Sequence, residues 1–390
     1  MIFLWSTLFV LGVLIFVHEL GHFLAARSVG IRVEKFSIGF PPRFVSLVTN
    51  EEGRYFCIYF FRLIDGRIKW VPIFRYRLKN SIFKNSDTEY VLALIPLGGY
   101  VKMAGMIDES MDTTVTDKPD EFMSKSTISK LWVLSAGVIM NMVTAFFLFS
   151  VISYSQGEAK LINEPVISEI RPEMPAEQAG ILSGDRIVSI NGLNVDTWDD
   201  LTEVIHSKPN TSISLSMERG NLNYDLEITT SSITVPNSSN GIDTLGVIGI
   251  TPEFVYSKIS ILDAINSGIS ATLNSLGMIT MSLQMLFSGI ASVSDLGGPI
   301  MIAQIAGETA NQGWIPLLSF MALISVNLAF LNILPIPGLD GGHIFIILVE
   351  AIIRKPLTLK SRMVIQQVGM TFLLVLMFTV IFNDISRLIN

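Results

Sequence analysis

The chemistry of this chain is concentrated in five residues, His18-Glu19-Leu20-Gly21-His22. Two histidines at i and i+4 lie on one face of a helix, so both imidazoles can hold one metal ion. Imidazole nitrogen suits Zn²⁺, and a zinc site that performs hydrolysis keeps one position open for water. The ion brings the pKa of that water to about 7, and Glu19, one residue on from His18, stands where it can take the proton. The motif lies inside an apolar run, 2–26, whose only ionisable residues are His18, Glu19 and His22. Ionisable groups at membrane depth are costly to bury and ordinarily mark a functional site. Two of the chain's four histidines are spent here.

Two histidines are one ligand short, because a catalytic zinc normally has three protein ligands. The stretch Asn332-Ile333-Leu334-Pro335-Ile336-Pro337-Gly338-Leu339-Asp340-Gly341-Gly342-His343 offers the third. Pro335 and Pro337 lack amide donors and break a helix. The glycines allow close backbone approach. A bent segment of this kind at membrane depth must be surrounded by protein or line a wet cavity. Asp340 is the best third ligand, and His343 is its rival.

The elements that must position these residues are membrane spans. The chain has 390 residues, half of them hydrophobic and 16% charged, with mean hydropathy +0.53. That is too apolar for a soluble chain of this length. Runs long enough to cross a bilayer occur at 2–26, 131–157, 315–336 and 363–383. The first run has no basic leader and no small-x-small cleavage site, which argues against a signal peptide. A fifth uncharged run, 264–294, is rich in Ser, Thr, Asn and Gly and reads as surface-lying helices outside the membrane.

Lys and Arg orient the spans. Sixteen fall in 27–130, six in 153–315, four in 340–362 and one in the tail. The first and third connections are therefore expected inside the cell, and the N-terminus, the middle domain and the C-terminus outside. On this reading the first and third spans run the same way, and His18, His22 and Asp340 share a depth near the inner face. The net charge of −7 reflects the acidic middle stretch, and nothing suggests binding to nucleic acid. The single cysteine, Cys57, excludes an intramolecular disulfide and a cysteine metal site.

With these motifs in place, the chain closely resembles the site-2 protease family of intramembrane zinc metalloproteases, of the bacterial RseP type. That family carries H-E-x-G-H in its first span and N-x-x-P-x-P-x-L-D-G-G in its third, and both match here without a gap. The resemblance implies one Zn²⁺ per chain held by His18, His22 and Asp340, with Glu19 as general base. It implies cleavage of transmembrane segments of membrane proteins, such as anti-sigma factors or remnant signal peptides, after another protease has trimmed them. It places the chain in the bacterial cytoplasmic membrane, with the active site near the cytoplasmic face. Asn332 matches a family asparagine associated with holding substrate. Ile95-Pro96-Leu97-Gly98-Gly99-Tyr100-Val101-Lys102-Met103 looks like the family's membrane-dipping β-hairpin, which makes Gly98, Gly99, Tyr100 and Val101 candidate substrate contacts. From the residues alone, 94–103 reads as a short buried strand pair with a Gly-Gly turn.

The line Pro175-Ala176-x-x-Ala179-Gly180-x-x-x-Gly184-Asp185-Arg186-Ile187-Val188-x-Ile190-Asn191-Gly192 closely resembles PDZ domains, which bind peptides by strand addition. One such module is found where some relatives have two. Around it, Asn191-Gly192 reads as a tight hairpin turn. Thr197-x-x-Asp200 reads as a capping box opening a helix over 198–206.

The expected fold is a multi-span α-helical membrane protein with four transmembrane helices, a membrane-associated β-hairpin and an extracytoplasmic α+β PDZ domain. The expected division is a first span, 1–27, and a cytoplasmic region, 28–130, with the hairpin near 94–105. A second span, 131–157, a PDZ domain, 161–232, and an extracytoplasmic linker with interfacial helices, 233–312, follow. The third span with its Leu-Asp-Gly segment is 313–342 and the fourth is 363–388. The aromatic and basic segment 48–87 departs from the family pattern and is expected on the anionic inner leaflet. A catalytically inactive, PDZ-bearing membrane scaffold is the competing reading. The intact H-E-x-x-H and Leu-Asp-Gly argue against it.

Overall fold

The structure, a computed structural model, describes residues 2–50, 53–64, 67–78, 88–106, 118–220, 222–236, 242–292 and 297–389. The chain divides into two compact units, 1–152 with 262–390, and 153–261.

The first unit opens with helix α1 (Ile2–Ser28), which carries the histidine motif in its last third. Its 27 residues span about 40 Å, enough to cross a bilayer. Four strands follow, β1 (Val33–Asn50), β2 (Gly53–Ile64), β3 (Arg67–Arg77) and β4 (Glu89–Met103), in the order β3-β2-β1-β4. β1 and β4 form one long antiparallel ladder, running from Val33 opposite Met103 to Leu47 opposite Tyr90. Bulges interrupt it near Phe40 and Arg43, beside the cis Pro41-Pro42 bond. The ladder folds back there, so Lys35–Ile38 also faces Glu89–Leu92.

This corrects the strand-pair reading of 94–103. Gly98 and Gly99 lie within β4, and the partner of this half-strand is β1. The two glycines serve close approach instead of a turn. A Cβ on Gly98 would overlap the Phe40 ring, and one on Gly99 would stand 2.9 Å from the Ser37 carbonyl oxygen and 3.0 Å from Glu19 Cγ. The described part of the aromatic segment forms the outer pair of strands, β2 and β3. Phe60 stacks on Phe61 at 4.5 Å between centroids, and the Arg75 guanidinium sits 3.7 Å from the Tyr55 ring centre. Helix α2 (Thr127–Gln156) completes this half of the unit.

The second unit holds strands β5 (Glu158–Leu161) and β6 (Ile167–Ile170) and helix α3 (Pro175–Gln178). Strands β7 (Arg186–Ile190) and β8 (Leu193–Asn194) and helix α4 (Trp198–His206) come next. It closes with β9 (Ser212–Arg219), β10 (Leu222–Thr229), β11 (Ser231–Pro236), β12 (Ile242–Val247), β13 (Ile250–Pro252) and β14 (Phe254–Ser257). The local signals here were accurate. Asn191 and Gly192 both take positive φ, at 52° and 78°, as the two-residue turn between β7 and β8 requires. The Thr197 side chain accepts from the Asp200 amide and the Asp200 carboxylate accepts from the Thr197 amide, a capping box worth about 1 kcal/mol. Ile213, Leu215 and Met217 point into one core with Ile187, Ile190, Leu201 and Ile205. Arg219 binds Asp185 through two nitrogens and holds its carboxyl below the usual carboxylate range.

The boundary at 232 was too early. Ile248 belongs to the same core, β13 pairs with β6, and β14 pairs with β5. The unit therefore runs on to Ile261. Within the part expected as an extracytoplasmic linker, 233–312, β11 pairs with β12, and Pro236 stands opposite Ile242. Residues 237–241 lie outside the described residues.

The chain returns to the first unit with α5 (Ile261–Phe287), α6 (Pro299–Gln312), α7 (Trp314–Ile333), α8 (Asp340–Ile353) and α9 (Leu359–Ile389). Among the described residues, α1, α2, α7 and α9 are long and apolar enough to cross a membrane, and α5 is not among them. The run expected as surface-lying helices forms one long helix up to Phe287. Its Gly268 lies against Phe146 and Ser150 of α2.

Val10 and Leu14 of α1, Leu148 of α2, and Leu317, Met321 and Ala322 of α7 share a buried cluster. The helix carrying the histidines is thereby held against α2 and α7. α6 packs on α1 through Gly307, which faces Phe3. Asp384 of α9 accepts from the amides of Gly298 and Ile300 at 3.0 Å and Met301 at 3.2 Å, capping α6. The expected span 313–342 is two helices, because α7 ends before Pro335 and Asp340 opens α8. Part of the expected third connection is therefore helix. Arg362 of α9 clamps Glu350 of α8 at 2.5 and 2.6 Å.

Candidate active site

His18 and His22 come from one face of α1, as their spacing demands. Asp340 comes from the first residue of α8, after a break that the sequence forces. Gly341 and Gly342 pack on the carbonyls of Ile333, Leu334 and Ile336, where any Cβ would collide. That contact turns the chain sharply enough to aim Asp340 back at α1.

Asp340 Oδ2 lies 3.1 Å from His18 Nε2 and 3.2 Å from His22 Nε2. The two Nε2 atoms are 3.2 Å apart. Three potential ligand atoms thus form a nearly equilateral triangle. Among the described residues this is the group of histidine, cysteine and acidic side chains that could hold a metal ion.

The chemistry of the triangle fits zinc. Donors held about 2.0–2.1 Å from a tetrahedral ion stand roughly 3.3 Å apart, close to what is observed. His22 Nδ1 lies 2.8 Å from the Val133 carbonyl oxygen, which can only accept, so the proton of a neutral ring is on Nδ1 and the Nε2 lone pair faces Asp340. Asp340 Oδ2 is buried and has no hydrogen-bond donor of good geometry among the described residues. One proton can bridge only one edge of the triangle, whereas a cation satisfies all three corners. Space exists for it, because Gly137 of α2 faces His18 and His22 and a Cβ there would fill the gap, 2.8 Å from His18 Nε2.

His343 lies outside the triangle. It lines a small pocket with Pro337, Gly338, Gly342, Ile346 and Gln366. Of the two candidates for third ligand, Asp340 is the one whose carboxylate stands beside both histidines.

Glu19 shares the site. Its side chain is within electrostatic range of His18, His22 and Asp340, and β4 passes beside it at Gly99. Asn332 Nδ2 is 3.4 Å from His18 Nε2. The other strand candidates stand further along β4, with Gly98 against Phe40, Tyr100 opposite Ser37 and Val101 opposite Phe36. Val101 is buried in the cluster that includes Phe23, Phe36 and Val133.

Sequence reading found the span that α2 forms and missed its part in the site. Val133, Gly137 and Asn141 follow at four-residue intervals and back both histidines. The available signal was an amide side chain in the middle of an uncharged span, where polar groups are expensive.

Comparisons with known proteins find zinc metalloproteases similar to this chain over nearly its whole length. A protein of Clostridium acetobutylicum named "putative zinc metalloprotease" is 31% identical over 97% of this chain and 96% of its own length. One of the same name from Campylobacter jejuni is 33% identical over 99% of this chain and 94% of its own. The "probable protease eep" of Enterococcus faecalis is 27% identical over 97% of each. Among solved structures, the PDZ domain of an SdrC-like protein from Listeria monocytogenes aligns with 24% of this chain and 90% of its own at 19% identity. Its TM-score is 0.19, too low to carry an argument. The family model described as Peptidase family M50 matches residues 6–68 and 73–376, from the helix that bears the histidines through the bend that bears Asp340. The chain belongs to peptidase family M50, and it is a zinc metalloprotease.

Proposed function

We propose that this protein hydrolyses peptide bonds within the transmembrane segments of other membrane proteins, with His18, His22 and Asp340 holding one zinc ion and Glu19 acting as general base. The observation that carries the reading is the triangle of ligand atoms, 3.1–3.2 Å on each side, set between helices long and apolar enough to span a bilayer. Bound there, the ion supplies Lewis acidity, acidifying a water molecule and polarising a peptide carbonyl. Glu19 takes the water's proton and delivers it to the departing amine. Asn332, beside His18, donates its amide hydrogen to the substrate carbonyl.

A substrate helix hides its carbonyls in its own hydrogen bonds, so it must be extended before attack. Unwinding within a bilayer leaves backbone groups unsatisfied at several kcal/mol each. The outer half of β4 supplies partners. β4 stands at the end of the strand order, and its Gly99 is beside Glu19. The Ala104 amide donates to the Arg32 carbonyl, so by alternation the Val101 amide faces away from β1. Val101→Pro removes that edge donor. It is expected to reduce turnover of a helical substrate while zinc content stays at the wild-type level. Helix-breaking Gly or Pro beside the scissile bond should restore part of the rate. Wild-type turnover by Val101→Pro on an unmodified helix would remove β4 as the template.

From the distribution of Lys and Arg, 27–130 and 340–362 are read as cytoplasmic and unit 153–261 as extracytoplasmic, with the spans in a bacterial inner membrane. That unit is read as a PDZ module that admits peptide ends of substrates already trimmed by another protease. The reading is tested by chelation. Stripping zinc from the purified protein should stop cleavage of a co-reconstituted transmembrane peptide, and added zinc should restore it. Undiminished cleavage by the stripped protein would refute it.

A further inference from the structure

Asn141 is fully buried in the middle of α2, one helical turn past Gly137. Its Nδ2 lies 3.3 Å from His18 Nδ1, and its Oδ1 is buried with no hydrogen-bond partner among the described residues. The oxygen and nitrogen of an amide exchange places by a half-turn of the terminal group, so their assignment follows from the network. If the amide nitrogen donates to His18 Nδ1, the proton of a neutral His18 must sit on Nε2. That is the atom facing Asp340 Oδ2 and the Asn332 amide. A protonated Nε2 cannot be a metal ligand.

His22 shows the arrangement that does work. Its Nδ1–H donates to the Val133 carbonyl oxygen, which leaves the Nε2 lone pair free. Val133 and Asn141 lie two helical turns apart on the same face of α2, each behind one histidine. We propose that Asn141 is a positioning residue whose side-chain oxygen accepts from His18 Nδ1–H and so fixes the tautomer that presents Nε2 to the metal. α2 then supplies an acceptor for His22, a gap at Gly137 and an acceptor for His18, in three successive turns. α7 braces the last of these, because Ser325 Oγ donates to the Asn141 carbonyl oxygen at 2.7 Å. The proposal rests on the zinc reading of the triangle. Outer hydrogen-bond partners of ligating histidines characteristically set both ring orientation and ligand basicity.

The test measures zinc affinity of the full-length protein in detergent by competition with a chromophoric chelator. Asn141→Leu keeps the shape and removes the acceptor, and its affinity is expected to fall by about 10–100-fold. Asn141→Asp keeps an acceptor oxygen and removes the donor, and it is expected to bind zinc at least as tightly as wild type. If Asn141→Asp loses affinity, the amide is needed as a donor and the proposal is overturned. Wild-type affinity in Asn141→Leu overturns it equally. Should Asn141→Leu fail to fold, Asn141→Asp decides alone. A wild-type protein that binds no zinc overturns the zinc reading and this proposal together. Zinc binding indifferent to Asn141 overturns only this proposal.

Discussion

Glu19→Gln is expected to keep its zinc and lose cleavage by about 10²–10⁴-fold, the range that a positioned general base contributes. Glutamine has the shape of glutamate and can still accept a hydrogen bond, but it cannot take a proton. Shape matters here, because Gly99 of β4 leaves little space beside the Glu19 stem. A bulkier replacement would shift the strand and confuse two effects. The metal ligands belong to other residues, so metal content measured by elemental analysis should match wild type. The same variant should retain bound substrate chains, which makes it a trap for identifying them. Full cleavage by Glu19→Gln would show that the proton goes elsewhere.

Asp340→Asn is expected to lose both zinc and turnover. It removes the anionic corner of the triangle and puts a neutral amide against two imidazole nitrogens. Its loss of affinity should exceed the roughly 10–100-fold that removal of a supporting residue costs. His343→Ala is the paired control. His343 lies three residues further along α8, in the pocket with Gln366, and its loss should leave zinc in place. The opposite pattern, with zinc kept in Asp340→Ala and lost in His343→Ala, would reassign the third ligand.

The legible parts of this protein were those whose physics is local. The helical spacing of His18 and His22, the two prolines that end α7, the Asn191-Gly192 turn and the Thr197 capping box each depend on a few neighbouring residues. All four stand in the structure where the sequence put them. The approach of Asp340 to the histidines needed one more step. It rested on the expected orientation of the spans, read from charge bias, which set two motifs more than 300 residues apart in sequence at one depth.

What the sequence hid was tertiary. Two adjacent glycines signal a turn when read alone. At Gly98-Gly99 they instead let β4 pass close to Phe40, Ser37 and Glu19. The start of 233–312 was expected as linker, yet β11 and β12 pair there and Ile248 belongs to the second unit's core. Asn141 shows in the sequence only as an amide inside an uncharged span, which names no partner. Its meaning comes from His18, 123 positions away in sequence.

The most direct test of the whole account is where the cut falls. The purified protein would be reconstituted in vesicles with a single-span substrate already trimmed outside the membrane, and the products sequenced by mass spectrometry. The expected result is a scission inside the substrate's apolar segment, absent with Glu19→Gln and absent after chelation. A cut confined to the soluble flank, or one that persists in Glu19→Gln, would contradict it.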